Sequence, residues 1–533
     1  MEKIILKLCM ENGFLLDKEM LSLLRELDEE SAIQLVEVLK GLKIEEKVIT
    51  KSVFSKNVEK IRKVLVGGKT KKVIENFFVS IGYSRVEVDE GVGENVEQIG
   101  GTDDFKVLYS PSFLPRKIVV KDFVNSFKNR YEQIRNILRG RDLDNLTSIR
   151  RIGDSRENYT LIVSIVEKRI TKNKNLLFEV EDLTGRARVL INANKEDIFN
   201  EAKDLMLDDI VAMKVSGNNE WLYANELIFP DAFLAEKRRH DKEVLVAFAS
   251  DWHLGSTMFL EDNLKRFISW LNGNEGDEVQ KTLAKKVKYL FITGDSVDGV
   301  GVFPGQENFL IQKDFRSQYK YLAELLGKIR KNIKIIICPG QHDAVWVGHP
   351  QPMIGEKWAP ELHEMENVTL VANPAMIQID GGFKVLMYHG AGMHTFVEEI
   401  EDIRLNYKHN SPTRVIKEVL KRRHLMPSHG ALCDYIPIEK NDPLVISEVP
   451  DIITTGDWHR ADVGVYNNIL MIASSCWQSM TPFEEKVGNN PDPCKVPLLN
   501  LKTREVKILD FSDDLTEEGC DEKEKEIVCE VEK

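Results

Sequence analysis

The run Val244-Leu245-Val246-Ala247-Phe248-Ala249, followed at once by Ser250-Asp251-Trp252-His253, decides how this chain is read. A short apolar run predicts a strand, and here the strand ends on a carboxylate and an imidazole. The arrangement recurs along the chain. Residues 289–293 run into Gly294-Asp295-Ser296, and 335–338 into Pro339-Gly340-Gln341-His342-Asp343. Residues 385–388 run into His389-Gly390, and 452–455 into Gly456-Asp457-Trp458-His459. In an extended segment residues i and i+2 point the same way, so Asp251 with His253, and Asp457 with His459, are each expected to address one side of a metal site. Glycines beside them permit tight turns. Carboxylate, carboxamide and imidazole donors together suit manganese or iron and disfavour a thiolate site. Two such ions about 3.5 to 4 Å apart can clamp a phosphate and activate water. Singly, a D-x-H or G-D is a common turn; all five in order form the pattern of a binuclear phosphoesterase.

Working outward, apolar runs alternate with helical stretches over residues 243–512, which predicts an α/β sandwich flanked by helices. Upstream of the charged connector 236–242, short strand candidates at 159–166, 176–180, 187–191, 210–215 and 222–227 are separated by Asn-, Gly- and Asp-rich turns. They follow a helix-like segment through Phe123, Phe127, Tyr131, Ile134 and Leu138. Residues 116–235 are therefore expected to form a small barrel of OB type, a shape that either binds single strands or supports neighbours. Residues 1–45 read as a helical module, and 46–115, polar and glycine-bearing, as a flexible linker. Residues 513–533 hold ten acidic and three basic side chains and are expected to be a disordered acidic tail.

A length of 533 residues predicts three or four units. The net charge of −13 is the wrong sign for coating nucleic acid by bulk charge, so any such contact must be local. No apolar stretch is long enough to span a membrane, and the start lacks the features of a secretory signal, giving a cytoplasmic expectation. The seven cysteines form no C-x-x-C pair, which argues against a disulfide framework and a cysteine zinc site.

The five ordered motifs resemble those of the calcineurin-like metallophosphoesterases: D-x-H, G-D, G-N-H-D/E, a lone H and G-H-x-H. Within that superfamily the chain is similar to the small subunits of archaeal D-family DNA polymerases. The narrower likeness lies in His349-Pro350-Gln351-Pro352, Tyr388-His389-Gly390, Arg422-Arg423-His424-Leu425, Asp442-Pro443-Leu444-Val445-Ile446, Val449-Pro450-Asp451-Ile452, Trp477-Gln478 and Asn490-Pro491-Asp492-Pro493. The resemblance implies a four-layer metallophosphoesterase sandwich carrying a 3′-to-5′ exonuclease that proofreads beside a large catalytic polymerase subunit. Its substrates would be single-stranded or mismatched DNA 3′ ends, with a sliding clamp as a further candidate partner. It implies one metal held by Asp251, His253 and His459, with Asp295 bridging to a second held by Gln341, His389 and Asp457. Manganese is the expected ion, with magnesium or iron as alternatives. His342 would stabilise the scissile phosphate or protonate the leaving oxygen, with Asp343 orienting it.

Two positions depart from the family pattern. Gln341 stands where asparagine is usual, and Asp457 where the fifth motif has its first histidine. Both fall on the second metal, and both residues can still coordinate. The alternative reading is a catalytically weakened scaffold that stabilises the large subunit. Trp458 between two ligands, and Arg422 with Arg423 at the end of a helix-like segment, are the expected DNA contacts, weighed against plain packing and a solvated helix end.

Overall fold

Apolar periodicity organises this chain into sheets whose strands end together. The computed structural model describes residues 15–16, 48–49, 105–112, 117–141, 143–430, 433–438 and 441–512. Most of the expected helical module 1–45 and linker 46–115, and all of the expected tail 513–533, lie outside the described residues. The chain divides into two units, Met1–Ile99 and Gly100–Lys533. In the first, β1 (Leu15–Leu16), inside the expected helical module, and β2 (Val48–Ile49) pair in parallel.

The second unit begins with β3 (Lys106–Tyr109) and a helix over Val120–Arg139. The barrel strands follow as β4 (Leu146–Thr147), β5 (Glu157–Ile170), β6 (Leu176–Asp182), β7 (Gly185–Ile191), β8 (Ile210–Gly217) and β9 (Leu222–Ile228). Next come β10 (Leu245–Ala249), β11 (Val287–Thr293), β12 (Lys334–Cys338), β13 (Val368–Leu370), β14 (Ala375–Ile379) and β15 (Phe383–Met387). The last are β16 (Ile452–Thr455), β17 (Asp462–Tyr466), β18 (Ile469–Ala473), β19 (Lys495–Asn500) and β20 (Val506–Asp510).

One mixed sheet has the order β13-β12-β11-β10-β19-β20, a second β17-β18-β16-β15-β14-β3. In β10 the side chains alternate between two cores. Val246 and Phe248 pack with Ile377, Val385 and Ile472 of the second sheet, while Leu245, Ala247 and Ala249 pack with Leu264 and Phe267 of the helix Glu261–Leu271 and with Tyr319 and Leu322 of the helix Phe315–Leu326. A strand buried on both faces needs an unbroken apolar run, which is why residues 244–249 show no polar alternation. The second sheet is covered on its outer face by Val415, Ile416, Val419 and Leu420 of the helix Pro412–Arg422. The two sheets thus face one another, with helices on both outer sides, and the class is α/β.

The third sheet closes on itself: β5, β6, β7, β9 and β8 pair in turn, and β8 pairs back with β5. Alternate residues Leu161, Val163 and Ile165 of β5, Phe178 and Val180 of β6, and Val189 and Ile191 of β7 fill its interior. The linker expectation needs a correction at its end. Phe105 and Val107 pack into the core between the two sheets, and β3 pairs antiparallel with β14 as an edge strand. Its alternating residues have a buried face to occupy, so this segment is ordered sheet.

Candidate metal centre at the strand ends

The carboxyl ends of β10, β11, β12, β15 and β16 each release the chain into a turn that carries the predicted residues, and these turns meet. Asp251, His253 and His459 bring their ligand atoms within 4.8 Å of one another, as do Asp251, Asp295 and His389, and as do His253, Asp298 and His342. Asp251 is common to the first two groups, whereas the resemblance gave the bridge to Asp295.

The convergence is not that of an extended strand. Asp251, His253, Asp295, Asp457 and His459 have φ of 50°, 47°, 47°, 67° and 54°. This left-handed conformation is uncommon outside glycine and costs of order 1–3 kcal/mol at each residue. The alternation of left-handed residues turns Asp and His toward the centre while the intervening Trp252 and Trp458 go into the two hydrophobic cores. Backbone bonds hold the turns: Asp251 N donates to Gly294 O at 3.0 Å and His253 N to Asp295 O at 3.1 Å. Gly340 is needed for approach rather than flexibility. A Cβ there would lie 2.2 Å from Asp295 Oδ1 and 2.6 Å from His389 Nε2.

In the first group the two imidazoles face each other. His253 Nε2 and His459 Nε2 are 3.1 Å apart, and Asp251 Oδ1 is 3.5 Å from the latter. Each ring's other nitrogen is taken by a carboxylate, His253 Nδ1 by Asp298 Oδ1 at 3.1 Å and His459 Nδ1 by Glu484 Oε1 at 2.8 Å. Carboxylate partners place the proton on Nδ1 and leave an Nε2 lone pair, so two lone pairs point at one spot beside a buried carboxylate. A divalent cation would relieve that arrangement.

The second group is built around His389, whose Nδ1 donates to Thr293 O at 2.7 Å. Its Nε2 lies 3.2 Å from Asp295 Oδ2 and 3.7 Å from Asp457 Oδ1, close enough for ion pairing but without hydrogen-bond alignment. Gln341 Nε2 donates to Asp457 Oδ1, while Gln341 Oε1 is buried with no hydrogen-bond partner among the described residues. Gln341 Oε1, and His389 Nε2 among the Asp251, Asp295 and Asp457 carboxylates, are a set that fits a metal ion of oxygen and nitrogen preference.

The electrostatics agree. Burial opposes charge on His389, yet Asp295, Asp251 and Asp457 raise its pKa well above the usual imidazole range. Burial likewise works against ionised Asp295 and Asp457, and the histidines around them hold both carboxyls below their ordinary value. The site stabilises positive charge, and its acidic and histidine groups can hold metal ions.

His342 Nδ1 is 2.7 Å from Asp298 O, and its ring stands edge-on to His253 with centroids 4.8 Å apart. Among the described residues the Asp343 carboxylate bonds elsewhere than to this ring. The Asp343 carboxylate accepts from Gly340 N at 2.9 Å and Tyr319 Oη at 2.9 Å, tying the turn to the helix Phe315–Leu326, and burial followed by Asp295 pushes its pKa up to about 7.

Three further residues bear on the site: the sequence reading set His394 aside and did not single out Asp298 or Glu484. His394 Nε2 binds Asp457 Oδ2 at 2.6 Å, with its ring stacked on Trp458 at a 2° interplanar angle. Nothing at a strand end announces it. Asp298 is visible only as a second carboxylate three places after Asp295. Glu484 had a signal, since Thr481-Pro482-Phe483-Glu484 is a capping box, and its Oε2 accepts from Thr481 N at 2.9 Å while its Oε1 holds His459.

The expected DNA contacts are corrected. Trp458 is 1% exposed, and a side chain so enclosed has no ring face left for a base. Arg422 is 3% exposed and pairs with Asp209 at 3.0 Å, and Arg423 donates to Ile446 O at 2.6 Å. These guanidiniums join the helix Pro412–Arg422 to the barrel and to the 446–447 turn, where buried cations need fixed partners.

Among known proteins, the B-subunit family of DNA polymerases alpha and epsilon matches residues 246–463. The DNA polymerase II small subunit of Archaeoglobus fulgidus is 37% identical over 379 residues, covering 71% of this chain and 74% of that one. That of Methanothermobacter thermautotrophicus is 33% identical, covering 74% and 80%. Against the Pyrococcus furiosus small subunit the identity is 36%, and the chain spans 64% of its length. A solved archaeal phosphodiesterase aligns at 13% identity with a TM-score of 0.24, over 50% of this chain and 99% of its own.

Proposed function

The chain belongs to the DNA polymerase II small-subunit family, and on that premise we propose that it is a metal-dependent 3′-to-5′ exonuclease subunit that partners a large catalytic polymerase subunit and acts on single-stranded or mismatched DNA 3′ ends. The observation that carries this reading is the pair of imidazoles, His253 and His459, turned Nε2 to Nε2 at 3.1 Å with both Nδ1 atoms committed to carboxylates. In this reading the two facing sheets are a metallophosphoesterase sandwich and the closed barrel is of OB type.

Asp251, His253 and His459 would hold one divalent ion. Asp295, Gln341, His389 and Asp457 would hold the other, with Asp251 within reach of both groups. When bound, two such cations, most simply manganese, supply Lewis-acid activation of a phosphodiester and of water. The protein's own groups do the rest. Asp298 and Glu484 fix the tautomer of the two histidines. His394 holds Asp457 ionised in the place where the related motif has histidine. His342, anchored through Nδ1 to the Asp298 carbonyl, would donate a proton from Nε2 to the leaving 3′ oxygen.

The test is nucleotide release from 3′-mismatched, labelled primers by the chain assembled with its large subunit, in manganese. His342→Ala is expected to lower the rate about 10²- to 10⁴-fold without loss of assembly. If wild type and variant both assemble and neither shortens the primer, the subunit is a scaffold instead.

A further inference from the structure

Away from the strand ends, the barrel displays two aromatic rings to solvent. Leu222 and Ala224 of β9 point into the barrel, each 1% exposed, whereas Trp221 and Tyr223 are 38% and 41% exposed. Alternation therefore sets both rings on one outward face. On that side β9 runs parallel to β7, with Tyr223 opposite Leu190. The Arg188 guanidinium of β7 lies 5.9 Å from the Trp221 ring centroid, and Arg156 lies 5.8 Å from that of Tyr223.

Both distances are at the outer limit of a cation–π contact, about 6 Å, so the rings hold these cations weakly. Among the described residues neither guanidinium has a carboxylate partner. Arg186 differs: it pairs with Glu181 at 2.9 Å and Glu179 at 3.2 Å. Other charges nearby are also matched, Lys214 by Glu226 at 2.9 Å, while Lys195 Nζ donates to Asn225 Oδ1 at 2.7 Å. Glu157 and Glu220 are the exposed acids next to Arg156 and Trp221 in sequence. Flat exposed π-faces with unpaired guanidiniums beside them complement a ligand that is itself aromatic and anionic at short regular intervals.

We propose that this face of the barrel binds single-stranded DNA, with bases stacked on Trp221 and Tyr223 and with Arg156 and Arg188 released from the rings to backbone phosphates. The choice of DNA rests on the polymerase-subunit reading; the stacking does not.

The experiment is fluorescence anisotropy of a labelled oligo(dT) titrated with the full-length chain in EDTA, at several salt concentrations. Chelation removes any dependence on the strand-end centre, so this proposal and the exonuclease reading can fail separately. The wild type is expected to bind. Trp221→Ala and Tyr223→Ala should each weaken binding roughly five- to hundredfold, and Trp221→Phe should retain most of it. Arg156→Ala and Arg188→Ala should each lower the salt slope by about 0.7. Thermal midpoints should stay unchanged, because these side chains are exposed. The proposal is overturned if the wild type does not bind, or if the alanine variants bind as the wild type does. It is equally overturned if the variants release the large subunit while oligonucleotide binding is unaltered, which would make this face a protein interface.

Discussion

Glu484 shows how a single carboxylate can serve a fold and a site together. One oxygen closes the capping box on Thr481, and the other turns His459. Glu484→Gln keeps the cap but replaces the charged partner of Nδ1, so manganese affinity is expected to fall about 10- to 100-fold in a calorimetric titration while the melting temperature barely moves. His424 makes a pH prediction. Burial, then Arg130, pushes its pKa down to about 4, and the neutral ring sits 3.0 Å from Asp442 Oδ2 while accepting from Met426 N. Between pH 6.5 and about 4 the unfolded chain binds a proton there that the folded chain refuses. Stability contributed by neutral His424 is therefore complete above pH 6.5 and declines as pH falls through that window. Denaturant melts of His424→Gln should show a flatter loss over this range than the wild type. The sequence was legible where candidate ligands leave strand ends, and less so where their hydrogen-bond partners come from elsewhere. Asp251, Asp295, His389 and His459 could be named because an apolar run aims each of them. His394 could not, because it starts a short helix and meets Asp457 only through the fold.

The elements explain why those exits coincide. Phe248 and Phe291 stack between the sheets with centroids 5.4 Å apart, on adjacent parallel strands in register. Phe248→Ala leaves a cavity in the core beneath the site and is expected to cost about 3–5 kcal/mol in chemical denaturation. Gly340→Ala probes the turn instead. The new Cβ would meet Asp295 and His389, so metal binding should be lost with a smaller change in stability, read by titration and melting on the same sample. Strands β5 to β12, β15 and β16 were legible because both sheet faces are buried and the barrel alternates cleanly, whereas β4, β13, β14 and β17 to β20 were not singled out. Two further features were missed. The D-x-H turns are left-handed rather than extended, a conformation no composition rule assigns to Asp or His. The strand Lys106–Tyr109 was hidden in a polar, glycine-bearing stretch and is explained only by its pairing with β14.

Across the whole second unit, buried ion pairs join the parts. Arg130 of the helix Val120–Arg139 reaches Asp442 at 2.6 Å, and Arg422 links the helix Pro412–Arg422 to Asp209 beside the barrel. Arg422→Ala strands a fully buried carboxylate, and a loss of about 3–5 kcal/mol is expected, with faster hydrogen exchange around residues 204–232. The net charge of −13 thus says little about DNA, since cations that looked available are committed inside and the candidate DNA-facing ones sit on the barrel. Strand ends from two sheets bring together acidic and histidine groups that, in the proposed reading, would hold two divalent cations. The most direct test of that reading is manganese stoichiometry on the full-length chain by equilibrium titration. Two ions per chain are predicted for the wild type, with one lost in His459→Ala. No manganese bound by the wild type, or full occupancy retained by His459→Ala, would contradict it.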